Sequence, residues 1–386
     1  MKTSMHDRPS DANPTPLTVV HITSSTNRSG GTRQAFLLAR AQADAGLRVI
    51  VCAPEEAAIL DWAENSGIPA KRLPRLGSLW SQWRASRGVR RIVREAAADL
   101  VHAHHTKGHN VALLATFGGG FPPVIANRGV LFPARFPLKF RTPRTSAVIT
   151  NSLRVKRVLE SAGVAGGKIH VVPNARDTSG TGATERADPA LLRRQLGLPP
   201  GVRVVGAVGR ARPEKGFQHL IEAAPAVLSA VPDTFFLLVG AGTERFVPTL
   251  RRFGVADRFV LPGHRDDAVD LMRLFDVFVI PSVDMESAPN TLLEAMSVGV
   301  PAVGTNIGGI PEIIEEGRTG YVVTPGDPEA LARAVVRLLQ DPERAREMGE
   351  AGRRKIEEEF SVEAKVRATF EVYEKVLRQC GRRPSS

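Results

Sequence analysis

Val277-Phe-Val-Ile-Pro-Ser-Val-Asp-Met-Glu-Ser-Ala-Pro-Asn-Thr-Leu-Leu-Glu294 is the stretch on which the reading of this 386-residue chain turns. Its opening run, Val277–Ile280, is uninterrupted apolar sequence and predicts a buried strand. Pro289 suits the first turn of a helix, where it has no needed N–H to lose and its φ is already set. Glu286 then falls on the strand-to-helix loop, and Glu294 falls inside the helix, about one to two turns along. The unpaired N–H groups of such a helix start, near Asn290, Thr291 and Leu292, can hold an anion. A carboxylate on either side of an anion hole suits a ligand with phosphate in its middle and hydroxyls at both ends, as in a nucleotide sugar. Leu292, Leu293 and Met296 are apolar, so Glu294 shares a largely buried helix and requires a partner. Gly308-Gly-Ile-Pro-Glu312 follows; the glycine pair reads as a turn, and Glu312 as either a ligand contact or a capping or solvated acid.

Outward from this stretch the chain alternates strand and helix. Leu17–Ile22 is a first strand, Thr23–Gly31 a loop, and a helix runs from about Thr32 to Asp44 until Gly46 stops it. Strands follow at Val49–Cys52, Asp99–His102, Val124–Ala126 and Val148–Thr150, the pattern of a parallel sheet with helices on both faces. Thr178-Ser-Gly-Thr-Gly-Ala-Thr184 is flexible linker sequence. A second series begins at Val202, with strands Val202–Val208, Phe235–Val239, Phe259–Leu261, Val277–Ile280, Pro301–Val303 and Gly320–Val323. The last helix, Val362–Gln379, places Val366, Phe370, Tyr373 and Leu377 on one face. The expected organisation is a disordered tail over 1–16, a Rossmann-like domain over 17–177, a linker over 178–200, a second Rossmann-like domain over 201–360, and a terminal helix over 361–380.

Composition narrows the class. With 52 basic and 40 acidic residues the net charge is +12, which favours anionic partners such as acidic glycans, anionic lipid or nucleic acid. No nucleic-acid-binding motif accompanies the charge, and no nucleic-acid partner is expected. The two cysteines, Cys52 and Cys380, form neither a disulfide framework nor a metal spacing. The first sixteen residues lack the apolar core of a secretory signal, and nowhere do eighteen uninterrupted apolar residues occur. The expectation is a cytoplasmic chain whose membrane contact, if any, is peripheral on the inner face of the cytoplasmic membrane.

Arg210 and Lys215 follow the apolar strand Val202–Val208, at the carboxyl end where ligands of open α/β sheets sit. Their segment, Gly209-Arg-Ala-Arg-Pro-Glu-Lys-Gly216, resembles the phosphate-binding loop of the retaining GT-B glycosyltransferases, family four of the nucleotide-sugar transferases. The Glu286…Glu294 spacing resembles that family's E-x7-E signature. Leu238-Val-Gly-Ala-Gly242 resembles its next strand end, and Val171-Val-Pro-Asn174 with Asp177 the segment before its linker, although Ala175 and Arg176 depart from the usual pattern. Ser24 to Gly31, with Gly30 and Gly31, is similar to the glycine-containing loop after the first strand. Asp99-Leu-Val-His-Ala-His104 is similar to the strand that carries an active-site histidine. The matches run in order from about Val19 to Phe360.

The resemblance implies an α/β GT-B fold, two facing Rossmann-like domains with a cleft between them, the terminal helix crossing back to the first. It implies transfer with retention by a front-face mechanism in which the leaving phosphate helps deprotonate the acceptor. Arg210, Lys215 and the helix start at Asn290, Thr291 and Leu292 would stabilise the departing diphosphate; Gly30 and Gly31 would also face the donor. Glu294 would accept hydrogen bonds from the ribose diol, and Glu286 would fix the donor sugar. His104 would contact that sugar, with His105 the runner-up. Arg265, in Gly263-His-Arg265, lies where the nucleotide base would be held. Arg128, in Asn127-Arg-Gly129, stands where the family often has His-Gly, which suggests a different charge arrangement for the acceptor.

His102, His104, His105 and His109 invite a metal reading. It is set aside because a strand sends His102 and His104 to one face and Ala103 to the other. No Asp-x-Asp tripeptide occurs, in keeping with a metal-independent site that needs no cofactor. Two basic, aromatic segments, Arg75–Arg94 and Gly129–Arg144, suit an anionic bilayer surface or a lipid-linked acceptor, or else are a solvated basic helix with packed aromatics. The expected activity is sugar transfer from a nucleotide sugar to a glycan or lipid-linked acceptor in cell-envelope polysaccharide or lipopolysaccharide assembly. A GT-B-type nucleotide-sugar epimerase and a non-catalytic nucleotide-sugar-binding protein are the alternatives. A nicotinamide dehydrogenase is discounted because Arg245 occupies the third glycine position of the dinucleotide fingerprint begun by Gly240-Ala-Gly242.

Overall fold

The computed structural model describes residues 16–131, 137–177 and 188–381. The expected tail lies outside the described residues except for Pro16. Residues 178–187 of the expected linker, and Phe132, Arg135 and Phe136 of the second basic, aromatic segment, also lie outside them; the rest of that linker is not all loop, because it carries the helix Pro189–Gln195.

Two parallel sheets organise the chain. The first contains β1 (Thr18–Thr23), β2 (Arg48–Pro54), β3 (Ala70–Leu73), β4 (Leu100–His104), β5 (Val124–Arg128), β6 (Thr145–Thr150) and β7 (Ile169–Val171), in the order β3-β2-β1-β4-β5-β6-β7. The second contains β8 (Arg203–Val208), β9 (Thr234–Val239), β10 (Phe259–Gly263), β11 (Val277–Ile280), β12 (Ala302–Thr305) and β13 (Gly320–Val323), in the order β10-β9-β8-β11-β12-β13. Both are Rossmann-like: the order grows outward in one direction from the first strand and then reverses, leaving a switch point between β1 and β4 and another between β8 and β11. The strand over 70–73 was not expected from sequence. Ala-Lys-Arg-Leu has two exposed basic residues at the edge of the sheet, so it carries none of the apolar signal of a central strand.

Period-2 alternation explains why the central strands are apolar throughout. Val277 and Val279 join one core with Val205, Phe236, Leu220 and Val335. Phe278 and Ile280 join the opposite core with Val204, Leu237, Leu292 and Met296. Each face is covered by helix, so no residue of the strand meets water.

Among the described residues, contacts divide the chain into two compact units. One takes those within Met1–Asn127, Thr142–Ala147 and Thr369–Ser386; the other takes those within Arg128–Arg141 and Val148–Ala368. Residues 148–177 contribute β7 and the end of β6 to the first sheet, while by contacts they group with the second unit. The helix Val362–Gln379 starts in the second unit and ends in the first. In the first unit its Tyr373 is among the largest fully buried side chains. Cys52 is buried in β2, where burial pushes its thiol up to about 12, and Cys380 is exposed. Among the described residues no helix is long and apolar enough to cross a membrane.

Candidate active site

The second sheet's switch point builds one cluster. The loop leaving β8 carries Arg210 and Lys215, and the loop leaving β11 carries Glu286; the two strands are neighbours, so both loops open at the same sheet edge. Lys215 donates from Nζ to Glu286 Oε2 at 2.5 Å, and Ser282 Oγ donates to the same oxygen at 3.1 Å. Glu286 is buried, and Ser282 is held in turn by Thr305, whose hydroxyl donates to the Ser282 carbonyl. The residue before Glu286, Met285, has φ +58°, and its backbone N–H donates to Asp284 Oδ1 at 2.7 Å, holding the turn. A side chain in that left-handed conformation costs energy and marks a loop whose shape is over-determined by its surroundings.

Two close backbone approaches fix the loop. Gly216, with φ +65°, lies against the Pro281 carbonyl oxygen, where any Cβ would overlap it. Gly308, with φ +59°, lies against the Glu286 carbonyl oxygen in the same way, and Gly309 accepts no Cβ because of Ser287 O. Gly309 N–H donates to Glu286 O at 3.1 Å. The glycine pair is thus more than the turn it was read as: it is the floor under the Glu286 peptide.

The helix that follows spans Asn290–Ser297, with Pro289 as its N-cap rather than inside the first turn. Pro289 supplies no capping side chain, so the amides of Asn290, Thr291 and Leu292 begin the helix without one. Glu294, one turn further, is part-buried, with Oε1 4.0 Å from Arg176 NH1. Asn174 Nδ2 donates to Ala288 O and to Asn290 Oδ1, both at 3.0 Å. The functional weight of Asn174 and Arg176 was missed as a site signal; their place in the Asn-Ala-Arg-Asp segment was the one available clue. Glu312, left open by the sequence, accepts from the amides of Leu153 at 2.8 Å and Arg154 at 3.2 Å, and so caps the Leu153–Ser161 helix. These bonds all lie inside the second unit.

The basic residues differ in what they are tied to. Arg210 is exposed and, among the described residues, pairs with no acidic side chain. Arg265 closes a two-point fork on Asp267, Nε to Oδ1 at 2.7 Å and NH2 to Oδ2 at 2.5 Å. That bond raises the Arg265 guanidinium and lowers the Asp267 carboxyl, so Arg265 is occupied within its own loop.

The first sheet's switch point builds a second cluster. Gly30 and Gly31 open the helix Gly30–Asp44, which Ser29 caps. His105 follows β4 with φ +63° and its Nδ1 2.8 Å from Thr23 Oγ1. Its Nε2 would lie 3.0 Å from a Cβ at Gly31, so the ring rests on the loop's last glycine. Burial lowers the His105 pKa, favouring the neutral ring. His104, expected at the strand end facing the ligand, is instead buried within the sheet, 3% exposed. The cause is the alternation that pairs it with His102: their rings stack at 4.4 Å.

His104 is the start of a buried hydrogen-bond chain. Burial lowers His21 to about 4, so its ring is neutral. His21 Nε2 donates to Gln42 Oε1 at 2.8 Å, which leaves Nδ1 to accept from His104 Nε2 at 2.9 Å. Gln42 Nε2 donates to the Tyr373 hydroxyl at 3.1 Å, and that hydroxyl donates to His102 Nδ1 at 2.6 Å. His21, His102 and His104 are, among the described residues, the group that offers metal-type ligands, with nitrogens within 4.8 Å of one another. His21 and His104 already spend those facing nitrogens on each other. His109 bonds Thr145 Oγ1 through Nε2 at 2.9 Å, away from this group. Arg128, the acceptor-side candidate, is buried in the second unit with its guanidinium 5.8 Å from the Phe140 ring, and burial lowers its pKa.

The chain is similar to known proteins. Residues 28–179 match the model for Glycosyltransferase Family 4, and residues 202–341 that for Glycosyl transferases group 1. The N-acetyl-alpha-D-glucosaminyl L-malate synthase of Bacillus anthracis is 33% identical over 195 residues, 50% of this chain and 51% of its own. A lipopolysaccharide core biosynthesis mannosyltransferase of Rhizobium meliloti is 29% identical over 253 residues, 62% of this chain and 68% of its own. The chain thus spans about half to two thirds of the curated relatives it matches. Among solved structures, a Rickettsia africae glycosyltransferase superposes with a TM-score of 0.83 at 19% identity, covering 94% of this chain and 99% of that one. Anabaena HepE in complex with UDP superposes with a TM-score of 0.80 at 24% identity, covering 93% and 100%. Likeness at such identities speaks for the fold, which is GT-B; on that fold the chain carries a Glycosyltransferase Family 4 segment followed by a Glycosyl transferases group 1 segment.

Proposed function

We propose that this protein transfers a sugar from a nucleotide-sugar donor to a glycan or lipid-linked acceptor, with retention of anomeric configuration and without a metal. The observation that carries the reading is the meeting of Lys215 and Glu286 at the second switch point, beside a helix start with no side-chain cap and Glu294 one turn along. Lys215 and the exposed Arg210 meet the diphosphate, joined by the amides of Asn290, Thr291 and Leu292. Donors placed in this way stabilise a leaving diphosphate as its charge develops. Glu286, already bonded to Lys215, couples the phosphate-binding cation to the sugar hydroxyls it fixes, and Glu294 takes the ribose diol. In the first sheet, His105 rather than His104 is the histidine that offers a ring nitrogen to a ligand. Its strained backbone at the strand tip supports that choice.

The role in envelope polysaccharide or lipopolysaccharide assembly, on the cytoplasmic side of an anionic membrane, draws support from the Rhizobium relative and from the net charge of +12. Thermal unfolding in the presence of UDP, GDP and ADP tests the donor reading, since a ligand of the native state raises the midpoint by mass action. One of the three is expected to raise it. Lys215→Ala should erase that rise and lower turnover by roughly 10²–10³-fold, the scale of one lost oxyanion-type donor. Glu294→Ala should weaken nucleoside diphosphate binding and abolish turnover. No response to any nucleoside diphosphate, or near-normal rates in either variant, would overturn the assignment.

A further inference from the structure

The helix Leu79–Glu95, in the first unit, leaves a face that the donor chemistry does not use. Its inner side, Gln82, Ala85, Ser86, Val89 and Val93, is buried. At about 100° per residue, Trp80, Arg84, Arg87, Arg91 and Arg94 fall within about 40° of one line on the opposite side, with Trp83 beside them. Trp80 is 64% exposed, Trp83 48%, and Leu79 in the first turn 81%. Between Glu64 and Glu95 the chain carries eight lysines and arginines and no acid. The Arg84 guanidinium lies 5.8 Å from the Trp80 ring and that of Arg87 5.2 Å from Trp83.

A groove of about 260 Å³ runs beside this face, lined by Lys71 and Arg72 of β3, Arg84 and Arg91 of the helix, and Glu95 at one end. The start of the helix is fixed by a reciprocal cap, Ser81 N–H to Ser78 Oγ at 3.1 Å and Ser78 N–H to Ser81 Oγ at 3.0 Å. Leu79 and Trp80 are therefore presented by a rigid first turn rather than by a mobile loop.

We propose that this face docks on an anionic lipid bilayer: Leu79, Trp80 and Trp83 enter the headgroup–acyl boundary, and the Lys71–Arg72–Arg84–Arg91 groove receives lipid phosphate. The inference deepens the membrane part of the proposed function and rests on it only in placing the acceptor at a bilayer. Three observations select a bilayer over other polyanions. Exposed indole and leucine surface in one cluster is unfavourable in water and favourable at a membrane interface. The net positive charge of this face, with Arg72 paired to Glu64 and Arg91 to Glu95 but Lys71, Arg84, Arg87 and Arg94 adding to the excess, complements a surface of anionic headgroups. Leu79, the most exposed of the three, is an aliphatic side chain that gains from entry into acyl chains and gains nothing from a nucleic-acid base, on which only Trp80 and Trp83 could stack.

The full chain is floated with phosphatidylcholine vesicles and with vesicles in which roughly one third of the lipid is phosphatidylglycerol, the anionic case for a charge-driven contact. Binding is expected only to the anionic vesicles and is expected to fall in high salt. Trp80→Ala/Trp83→Ala should weaken it at least about tenfold, and Arg84→Glu/Arg91→Glu by about a hundredfold or more. Bromine in the acyl chains should quench tryptophan emission in the native protein, and the double tryptophan variant should lose that quenching. Both variants should keep the native unfolding midpoint and the nucleoside diphosphate response, so failure here is separable from failure of the donor site. Equal binding to neutral vesicles, binding indifferent to both variants, or capture of poly(U) or dextran sulfate without vesicle binding would overturn the proposal.

Discussion

His21 shows how one residue can govern stability without touching a ligand. It sits fully inside the first sheet, next to His104 and Gln42, and its folded pKa is about 4 against an unfolded value near 6.5. The folded state therefore resists a proton that the unfolded chain accepts. The stability this represents is whole above pH about 6.5 and drains as pH falls toward about 4, a loss of about 3 kcal/mol. Denaturant titration across that range should show the slope, and His21→Gln should flatten it; an unchanged slope would remove His21 as its source. Glu286, Glu294, Arg210 and Lys215 were legible as single residues because a strand end and a helix start fix where such side chains go. The choice of His105 over His104 was not, because the two are adjacent and only the backbone shows that His104 ends inside the sheet while His105 turns out of it with φ +63°. Arg265 was legible as a cation but not as one already forked onto Asp267, two residues away.

Between elements, the decisive contact is loop on loop. The 281–289 segment is fixed below by Gly308 and Gly309 and at its side by Gly216, each against a carbonyl oxygen. Gly308→Ala must both adopt a left-handed φ and displace the Glu286 peptide, so it should cost more than about 2 kcal/mol and lower turnover together. Equilibrium unfolding and donor turnover measured on the same preparation check this; loss of neither would mean that the loop is not held there. The elements themselves were largely readable: Val277–Ile280 and Val362–Gln379 stand where the sequence puts them, and the 290–297 helix begins just after Pro289, which was expected inside its first turn. The edge strand Ala70–Leu73 escaped because it buries little, and Glu312's capping role escaped because its partners, Leu153 and Arg154, are remote in sequence. Periodicity reports which face is buried, not which distant helix start an acid will reach.

At the level of the whole chain, alternation of strand and helix around a glycine-rich interruption was enough for two parallel sheets with reversing strand order. What alternation could not supply were the side-chain bonds that Asn174, Arg176 and Glu312 make within the second unit. The two cysteines fall on opposite sides of this architecture's most basic distinction. Cys52 is sealed in a central strand with its thiol pushed up to about 12, and Cys380 stands in water at the end of the final helix. An alkylating dye should therefore label the native protein once, at Cys380, and a second time only when β2 has come apart. That makes the unmodified protein its own reporter: stoichiometry of labelling against time counts global openings, and a single fluorophore next to the terminal helix can be attached without any engineered thiol.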